Sequence, residues 1–382
     1  MIKTLRIFAL HWPSLSVGLI FMVLSILFGS WLARLPEIKA GLGLSEGQLG
    51  IALLGMPLGA LTLSPFAGWL IKRLSTGRAV VWSSLLFCAM FPLPAFAEGQ
   101  WSLMAALYIL GLGNSFMNIA MNAAAAAVES HYRVVIMSAC HGMFSLGAML
   151  GAGSSGLIAA AEIPLAAHLI GLSIAMIALQ LLLRPTLLAL PHSEAGGASF
   201  ALPPRAILGL ALVGFCIMIG EGAVADWSAI YLRDSLAADP FVASLGFAAF
   251  SLMMALGRFA GDSIRLRLGA DRAIFLGSLL GAGGLTLAVL LPHPALAVLG
   301  FAIVGLGFST VVPLLFSAAA KIPGLAPGTG IAAVASAGVV GFLIGPPFIG
   351  LIGEHWGVGF GLGLVAVLAL LAAGVATRAR VG

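Results

Sequence analysis

Charged residues are scarce in this sequence. Asp, Glu, Lys and Arg together make up 8% of the 382 residues, whereas 61% of the residues are hydrophobic. Soluble domains carry about 25% charged residues because their surface must face water. A chain with so few charges cannot cover itself with polar groups, so lipid is expected to be its main solvent. In lipid the backbone must satisfy its own hydrogen bonds, and the long, non-alternating apolar runs predict an all-α membrane protein rather than a β-barrel.

Cysteine and other metal-ligating residues are also rare. The three cysteines, Cys88, Cys140 and Cys216, each lie in an apolar run without metal-ligand spacing. This pattern is typical of buried, inert thiols. The sequence contains no evident cluster of metal ligands, no nucleophile–base pair and no phosphate-binding loop. We therefore expect no metal, no cofactor and no enzymatic activity.

Twelve apolar segments are long enough to span a bilayer, which takes about 20 residues. They lie at residues 13–35, 46–71, 79–97, 102–128, 136–160, 165–187, 206–232, 241–264, 273–292, 295–320, 329–352 and 357–377. The only extended stretch rich in Pro, Gly and Ser is 190–204, which predicts a linker. The predicted organisation is a six-helix half at 1–189, a linker at 190–204 and a second six-helix half at 205–382.

The two halves repeat one another. Gly111-Leu-Gly-Asn-Ser115 matches Gly305-Leu-Gly-Phe-Ser309 at an offset of 194, and Phe66-Ala-Gly68 matches Phe259-Ala-Gly261 at an offset of 193. Three glycines of the fifth span, at 147, 151 and 156, recur in the eleventh span at 341, 345 and 350. Several matches at nearly one offset indicate a duplicated six-helix unit. Such repeats build one large class of transporter folds.

The basic residues are distributed unevenly between the two sets of loops. The formal net charge is +5, but Lys and Arg are scattered in short loops, which argues against a nucleic-acid partner. One set of loops and termini holds fourteen of them, and the other holds only Arg34, Lys39 and Arg233. Cytoplasmic loops carry the excess of Lys and Arg. Both termini and the linker are therefore predicted to be cytoplasmic.

Six stretches carry a resemblance to a known family. They are Trp31-Leu-Ala-Arg-Leu-Pro-Glu-Ile38, Met121-Asn122 through Glu129, His141-Gly-Met-Phe-Ser-Leu-Gly147, Glu221-Gly-Ala-Val-Ala-Asp-Trp-Ser-Ala-Ile-Tyr-Leu232, Gly257-Arg-Phe-Ala-Gly-Asp262 and Gly345-Pro-Pro-Phe-Ile-Gly350. On these motifs the chain resembles the YbjJ-like branch of the major facilitator superfamily, which is loosely related to fucose permeases. The resemblance implies twelve spans, alternating access and a location in the plasma membrane, here a bacterial inner membrane. It does not imply a particular substrate.

Two departures from the family pattern affect the predicted sites. The superfamily's loop motif usually has an acid four residues after its glycine, but here Gly68 is followed by Lys72 and Gly261 by Arg265. An acid-based gating contact is therefore expected in the second half only, at Asp262, or in a rebuilt form. In the fourth span, Asn118 stands where the branch often has Asp, so a proton carrier at that position is absent.

A stripe of carboxamides lies on the fourth span. Asn114, Asn118 and Asn122 are spaced four residues apart and share one helical face. Carboxamides both donate and accept hydrogen bonds, so the stripe suits a neutral polar solute such as a sugar. The alternative is that the three residues hold neighbouring helices together. Glu129 lies on the same face and is a candidate for proton coupling, or else a partner for Arg133 or Arg73.

Three other titratable residues are candidates for proton coupling. Glu221 lies deep in the seventh span, where an acid costs roughly 2.5–3.5 kcal/mol and needs a partner or a function. Asp226 is nearer the end of that span and is alternatively a static partner of Arg34 or Arg233. His141 lies with Ser138 and Ser145 on one face of the fifth span, where it serves as a proton relay or as ordinary packing.

Aromatic and charged residues complete the predicted sites. Trp31, Trp227 and Tyr231 either stack on a ring-shaped solute or anchor the protein at the membrane interface. Arg258 and Asp262, four residues apart, form either a gating ion pair or a permanent one, and Arg265 lies in the same loop motif.

These observations favour a secondary active transporter that moves a small polar solute with protons. The expected partners are the solute, protons and the lipid bilayer, and the chain is expected to act as a monomer. One alternative is an exporter of drug-like compounds, for which a wide apolar cavity is expected. Another is a non-transporting membrane sensor, which the absence of any long hydrophilic stretch disfavours.

Overall fold

The computed structural model describes residues 8–192, 207–322 and 327–377, and these residues are helical with short connections. Within them, twelve helical segments are long and apolar enough to cross a membrane, which confirms the predicted fold class. The helices are α1 (Trp12–Ala33), α2 (Leu35–Gly41), α3 (Glu46–Leu53), α4 (Gly55–Leu74), α5 (Thr76–Met90), α6 (Gln100–Tyr132), α7 (Met137–Ala160), α8 (Leu165–Leu188), α9 (Leu208–Ile230), α10 (Pro240–Leu268), α11 (Ala270–Leu290), α12 (Pro294–Phe308), α13 (Val311–Ala319), α14 (Pro327–Trp356) and α15 (Val358–Ala376). Residues 193–204 of the predicted linker lie outside the described residues.

Some spans differ in detail from the sequence prediction. The second span, predicted as one segment, consists of α3 and α4 with an interruption at Leu54, and the tenth consists of α12 and α13. The fourth span, α6, has 33 residues and extends beyond the predicted end at residue 128. At a rise of 1.5 Å per residue it is about 50 Å long, which exceeds a bilayer's apolar core. Because the last turn of α6 is polar, a search of the sequence for apolar segments does not include it.

The chain forms two compact units. Unit 1 comprises Met1–Trp31 and Ala52–Ala198, and unit 2 comprises Leu32–Ile51 and Ser199–Gly382. By its contacts, the segment Leu32–Ile51 therefore belongs to unit 2, although the sequence prediction placed it in the first half. In unit 1 the extensive helix contacts are α4 with α6 and α5 with α6 and α8. In unit 2 they are α9 with α14 and α15, α10 with α12, and α11 with α12 and α15.

Glycines set the closest helix crossings in both units. In unit 1 a Cβ on Gly111 of α6 would collide with the backbone carbonyl of Met56 on α4. In unit 2 a Cβ on Gly305 of α12 would collide with the carbonyl of Phe250 on α10. The pairs Gly111–Met56 and Gly305–Phe250 are related by the offset of 194 found in the sequence. The internal repeat therefore corresponds to the same crossing built twice, with small residues that let backbones approach.

Candidate functional site

The polar centre of unit 2 lies on α9 and α10. Glu221 and Asp226 are half-buried on α9, and Arg258 is half-buried on α10. The positive charge of Arg258 acts electrostatically on the Glu221 carboxyl, and both residues lie on membrane-spanning helices of unit 2. A partner of opposite charge lowers the cost of placing either group in a membrane. This pairing was not predicted from the sequence, because the two residues are far apart in the chain.

The surroundings of Glu221 are apolar on both flanks. A Cβ on Gly220 would collide with the ring of Phe308, and a Cβ on Gly222 would lie 3.1 Å from the ring of Phe342. The flanking glycines thus let aromatic side chains of α12 and α14 pack closely against the backbone beside the acid. The seventh span is otherwise apolar, with a mean hydropathy of 2.0. Glu221 is therefore a polar group in a tightly packed, hydrophobic helix.

The two arginines that the sequence suggested as partners of Asp226 have described contacts with other groups. Arg34, one expected partner, pairs with Glu37 through Nε and Oε2 at 2.7 Å. Arg233, the other, donates from Nη1 to the backbone carbonyl of Ala238 at 2.7 Å. Both arginines thus make contacts near the end of the bundle, and a coupling role for Asp226 stays a prediction.

The predicted gating residues are only partly described. The side chain of Asp262 lies outside the described residues, so the Arg258–Asp262 pair remains a prediction. Arg265 is exposed in the last turn of α10, where its carbonyl accepts a hydrogen bond from the N–H of Gly269 at 2.9 Å. The electrostatic interaction described for Arg258 is with Glu221, a residue of a different helix.

The carboxamide stripe lies in unit 1 on α6. Asn118 is exposed, and Asn114 and Asn122 are half-buried. The amide nitrogen of Asn122 donates to the backbone carbonyl of Asn118 at 2.9 Å and lies 3.3 Å from its side-chain oxygen. The structure thus brings two of the three carboxamides together on one accessible face. Their contact with a solute remains a prediction.

Glu129 and His141 take part in contacts within unit 1. One carboxylate oxygen of Glu129 accepts hydrogen bonds from the backbone N–H groups of Ile136 and Met137 at 2.6 and 2.8 Å. The acid therefore caps the start of α7, where backbone donors lack helical partners. Arg73, which the sequence suggested as its partner, lies instead over the ring of Trp69. The imidazole of His141 packs edge-on against Phe21, with ring centroids 5.3 Å apart.

The three aromatic residues proposed for solute stacking are all buried. Trp31 is 2% exposed, Trp227 is fully buried and Tyr231 is 3% exposed. The Tyr231 hydroxyl donates to the backbone carbonyl of Ala288 at 2.9 Å. In this structure the rings pack between helices, so contact with a solute requires a rearrangement. Such contact remains a prediction.

Sequence reasoning missed an ion-pair network in unit 2. The ammonium group of Lys39 lies 2.7 Å from Oε1 of Glu46 and 2.7 Å from Oδ2 of Asp234. A signal was present in the sequence, because Lys39 is one of the three basic residues on the side where positive charge is rare. Each of those three has an acid within seven residues in the chain.

The described residues contain no group of three or more His, Cys, Asp or Glu side chains placed to hold a metal ion. The three cysteines are buried free thiols, in agreement with the sequence-based interpretation. The amide nitrogen of Gln180 lies 2.9 Å from the sulfur of Cys88, which fixes that thiol between α5 and α8. Among the described candidate residues, unit 1 thus holds the three carboxamides, Glu129 and His141, and unit 2 holds Glu221, Asp226 and Arg258.

Twelve spans in two units define a polytopic helical membrane protein, and comparison with known proteins gives its family. Residues 14–324 match the Major Facilitator Superfamily. The chain is 31% identical over 359 residues to an uncharacterized MFS-type transporter of Yersinia pestis, covering 94% of this chain and 93% of that protein. It is 30% identical over 362 residues to the membrane protein MosC of Rhizobium meliloti, covering 93% and 86%. This chain therefore belongs to the major facilitator superfamily, a family of membrane transporters.

A solved structure has the same fold. The chain aligns with a D-xylose-proton symporter at a TM-score of 0.72, covering 96% of this chain and 99% of that one. The sequence identity is 16%, so the likeness extends to the fold alone.

Proposed function

We propose that this chain is a secondary active transporter that moves a small polar solute, such as a sugar, across a bacterial inner membrane by alternating access, coupled to protons. The observation that carries the proposal is the location of two groups of opposite charge, Glu221 and Arg258, on membrane-spanning helices of unit 2. A charged pair at this depth is costly as a purely structural device, and ionisable groups within spans generally mark ion or substrate pathways. The carboxamides Asn118 and Asn122 supply donors and acceptors for the solute.

The pair gives a simple coupling chemistry. With Glu221 ionised, its charge and that of Arg258 cancel. When Glu221 takes up a proton, the positive charge of Arg258 is no longer balanced, and the electrostatic state of unit 2 changes by one charge. Proton loading on one side of the membrane and release on the other thereby bias which conformation is favoured. His141, Glu129 and Asp226 are the further candidates for the proton route.

Three finer points belong to the proposal. The motifs around Glu221 support a place in the YbjJ-like branch of the superfamily. The uneven distribution of Lys and Arg supports cytoplasmic termini. Because a D-xylose-proton symporter has the same fold, we would assay transport of sugar-like solutes and protons first. Function as a monomer is assumed in the experiments below.

The solute can be identified first by thermal shift. A ligand that binds only the folded protein raises the melting temperature by mass action, so sugars, amino acids, carboxylates and drug-like compounds can be screened on purified protein. Stabilisation by a polar solute is expected. Stabilisation only by bulky apolar compounds would favour the drug-exporter alternative. No solute-dependent flux in liposomes for any stabilising ligand would favour the non-transporting sensor.

Glu221→Gln then tests the coupling. Gln keeps the shape and resembles the protonated acid, so this variant should bind the solute and exchange it but should not accumulate it in proteoliposomes under a pH gradient. Glu98→Gln, at an exposed acid between α5 and α6, is the matched control and should accumulate solute normally. Full gradient-driven accumulation by Glu221→Gln would remove this residue from the mechanism.

The orientation has its own test. A single engineered cysteine near Glu98 should react with an impermeant maleimide added outside intact cells, and one near Ser193 should not. The opposite labelling pattern would reverse the proposed topology and leave the transport proposal untouched.

A further inference from the structure

Two hydroxyl groups meet at an accessible place in unit 1. The phenol of Tyr108 on α6 donates a hydrogen bond to Oγ1 of Thr62 on α4 at 3.2 Å. Thr62 is exposed and Tyr108 is half-buried. The second span runs from Glu46 to Leu74, so Thr62 lies near its middle. Thr62 and Tyr108, called the hydroxyl pair below, therefore form an accessible polar group within the membrane-spanning part of unit 1.

Neither interfacial anchoring nor helix packing accounts for the hydroxyl pair. Trp101, at the start of α6, is 69% exposed, as suits an aromatic residue at the membrane interface. Tyr108 lies seven residues further along α6, which is about 10 Å deeper. The same two helices also carry a hydrogen bond between Ser64 and Ser115, at 3.0 Å, and there Ser115 is 5% exposed. That contact is a buried junction between helices, whereas the hydroxyl pair is accessible.

The two hydrogen atoms of the hydroxyl pair are both used within the protein. Thr62 donates to the backbone carbonyl of Leu58 at 2.8 Å, and Tyr108 donates to Thr62. A hydroxyl group has one donor and two acceptor sites. Only lone pairs therefore remain at the two oxygens. The hydroxyl pair can accept hydrogen bonds from a solute but offers it no donor.

The face of α6 that holds Tyr108 also holds Asn118 and Asn122. With 3.6 residues per turn, the three residues fall within an arc of about 80°. The amide nitrogen of Asn122 donates to the carbonyl of Asn118, so the side-chain oxygen of Asn122 is a further acceptor. The amide nitrogen of Asn118 has no acceptor within the part of the chain that the structure describes. Because an unpaired amide is costly in apolar surroundings, we expect this face to contact water.

We propose that the hydroxyl pair is a second solute subsite of unit 1, separate from the carboxamides, which selects neutral polyols by their hydrogen-bond donors. Along α6, Tyr108 lies about 15 Å from Asn118 and about 21 Å from Asn122. These distances exceed the length of a monosaccharide, so one small solute contacts the two places in turn. The proposal deepens the proposed function and rests on it in one respect, that α6 lines the path of the solute.

The charge of the surroundings favours a neutral solute over an ion. Oxygen lone pairs repel a carboxylate, so the hydroxyl pair should reject sugar acids. An ammonium group would find acceptors but no balancing charge on these helices, because α4 contains no Asp or Glu and the first acid of α6 is Glu129. A polyol supplies donors without a charge. It is therefore the solute class that the hydroxyl pair fits.

The test measures occupancy in purified protein, without a gradient. Cys88, Cys140 and Cys216 are replaced by Ala, and a single reporter cysteine replaces Leu58, which is 36% exposed and lies one turn from Thr62 on α4. The measured quantity is the rate at which a water-soluble maleimide labels position 58. The probes are xylitol, D-xylonate and ethanolamine. Xylitol should slow the labelling, whereas the acid and the amine should not.

Substitutions in the hydroxyl pair sharpen the test. Tyr108→Phe removes the phenol oxygen and keeps the ring, so the xylitol concentration that gives half-maximal protection should rise about fivefold, as for the loss of one hydrogen bond. Thr62→Ser keeps the hydroxyl group and should stay near the original value. Ser115→Ala, which removes the buried hydroxyl of the same two helices, is the matched control and should also stay near it.

A second reporter separates the subsite from the carboxamides. Ala126 is exposed on α6, one turn beyond Asn122, and a cysteine there should be protected by xylitol equally with and without Tyr108→Phe. An unreactive cysteine at position 58 would overturn the proposal, because the hydroxyl pair would then not face water. Absence of protection by xylitol, equal protection by the three probes, or protection unchanged by Tyr108→Phe would also overturn it.

The remaining outcomes distinguish this proposal from the proposed function. Equal loss of protection at positions 58 and 126 in Tyr108→Phe would assign Tyr108 a structural role and overturn the subsite. Protection at position 126 alone would also overturn the subsite but would leave transport of a polar solute in place. Gradient-driven accumulation, which the Glu221→Gln experiment measures, does not enter these readings, so either result can fail without the other.

Discussion

The two units share a scaffold but differ in the polar residues that it carries. The glycine crossing of α4 with α6 in unit 1 recurs as α10 with α12 in unit 2. At the same offset of 194, however, Asn114, Asn118 and Asn122 correspond to Phe308, Val312 and Phe316. Phe308 is 1% exposed and packs against Gly220 and Gly281, whereas Asn114 is only half-buried.

Charged residues show the opposite difference, because they lie in unit 2 and not at the corresponding positions of unit 1. Glu221 of unit 2 corresponds to Leu27 in unit 1, and Arg258, which directly precedes the repeated Phe-Ala-Gly motif, corresponds to Pro65. Unit 1 thus carries neutral amides where unit 2 carries apolar residues, and unit 2 carries two residues of opposite charge where unit 1 is uncharged. Duplicated glycines preserve the helix crossings, while the polar residues diverge. The comparison favours solute contacts in unit 1 and proton chemistry in unit 2.

The first prediction, which has the largest expected effect, concerns the charged residues Glu221 and Arg258, for which unit 1 has no counterpart. Replacing Arg258 by Met leaves the Glu221 carboxyl without the charge that balances it. Breaking a buried ion pair by removing one partner costs about 3–5 kcal/mol, and because both groups are half-buried we expect about 3 kcal/mol. The measurement is the thermal midpoint of the purified variant in detergent, which should fall by several degrees.

The control for this prediction removes both charges. In Glu221→Met with Arg258→Met no charge remains unbalanced, so much of the lost stability should return. Replacing Ser64, an uncharged polar residue on α4 of unit 1, by Ala should change the midpoint little. If the double variant lost as much stability as the two single variants together, the two side chains would act independently. The units would then not differ by a charged pair.

The second prediction concerns the glycine crossings that the two units share. Gly111→Ala and Gly305→Ala each place a Cβ against a backbone carbonyl that cannot move aside easily. Overpacking of this kind costs about 1–3 kcal/mol, and similar losses are expected in both units. Gly363→Ala on α15 is the matched control, because nothing lies within 4 Å of its Cβ position, and it should be neutral or stabilising. A loss in one unit only would show that the two crossings are not equivalent.

The third prediction concerns the carboxamides that only unit 1 contains. Asn118→Leu and Asn122→Leu should each weaken binding of the identified solute by about 1–3 kcal/mol, the cost of leaving a polar partner unpaired. Isothermal titration or a thermal-shift series measures the affinity. Phe316→Leu, at the position that corresponds to Asn122 in unit 2, should leave the affinity unchanged. Equal affinity in all three variants would assign the asparagines to helix packing.

The sequence predicted the fold more completely than the sites. Apolar runs and repeated glycines determine spans and crossings through local composition, so twelve spans and the repeat were recognised. The Glu221–Arg258 pair and the Lys39–Asp234 contact join residues on different helices, and no local pattern marks such pairs. Residues 32–51 were assigned to the first half because chain order does not show with which unit a segment packs. Trp227 and Tyr231 were predicted to contact a solute or the membrane interface, because composition does not reveal that both side chains are buried.

The smallest expected effect concerns Glu129, whose role the structure narrows. As the cap of α7, its carboxylate accepts two backbone N–H bonds. Glu129→Ala should therefore lower stability by about 1 kcal/mol, as for loss of other helix caps. Glu129→Gln keeps one acceptor oxygen, so it should retain most of the stability. The thermal midpoints of the two variants measure this difference, and gradient-driven uptake by Glu129→Gln separates the roles. Normal uptake would confine Glu129 to capping and leave proton chemistry to unit 2. Loss of uptake at unchanged stability would place a coupling acid in unit 1 and break the division of roles between the units.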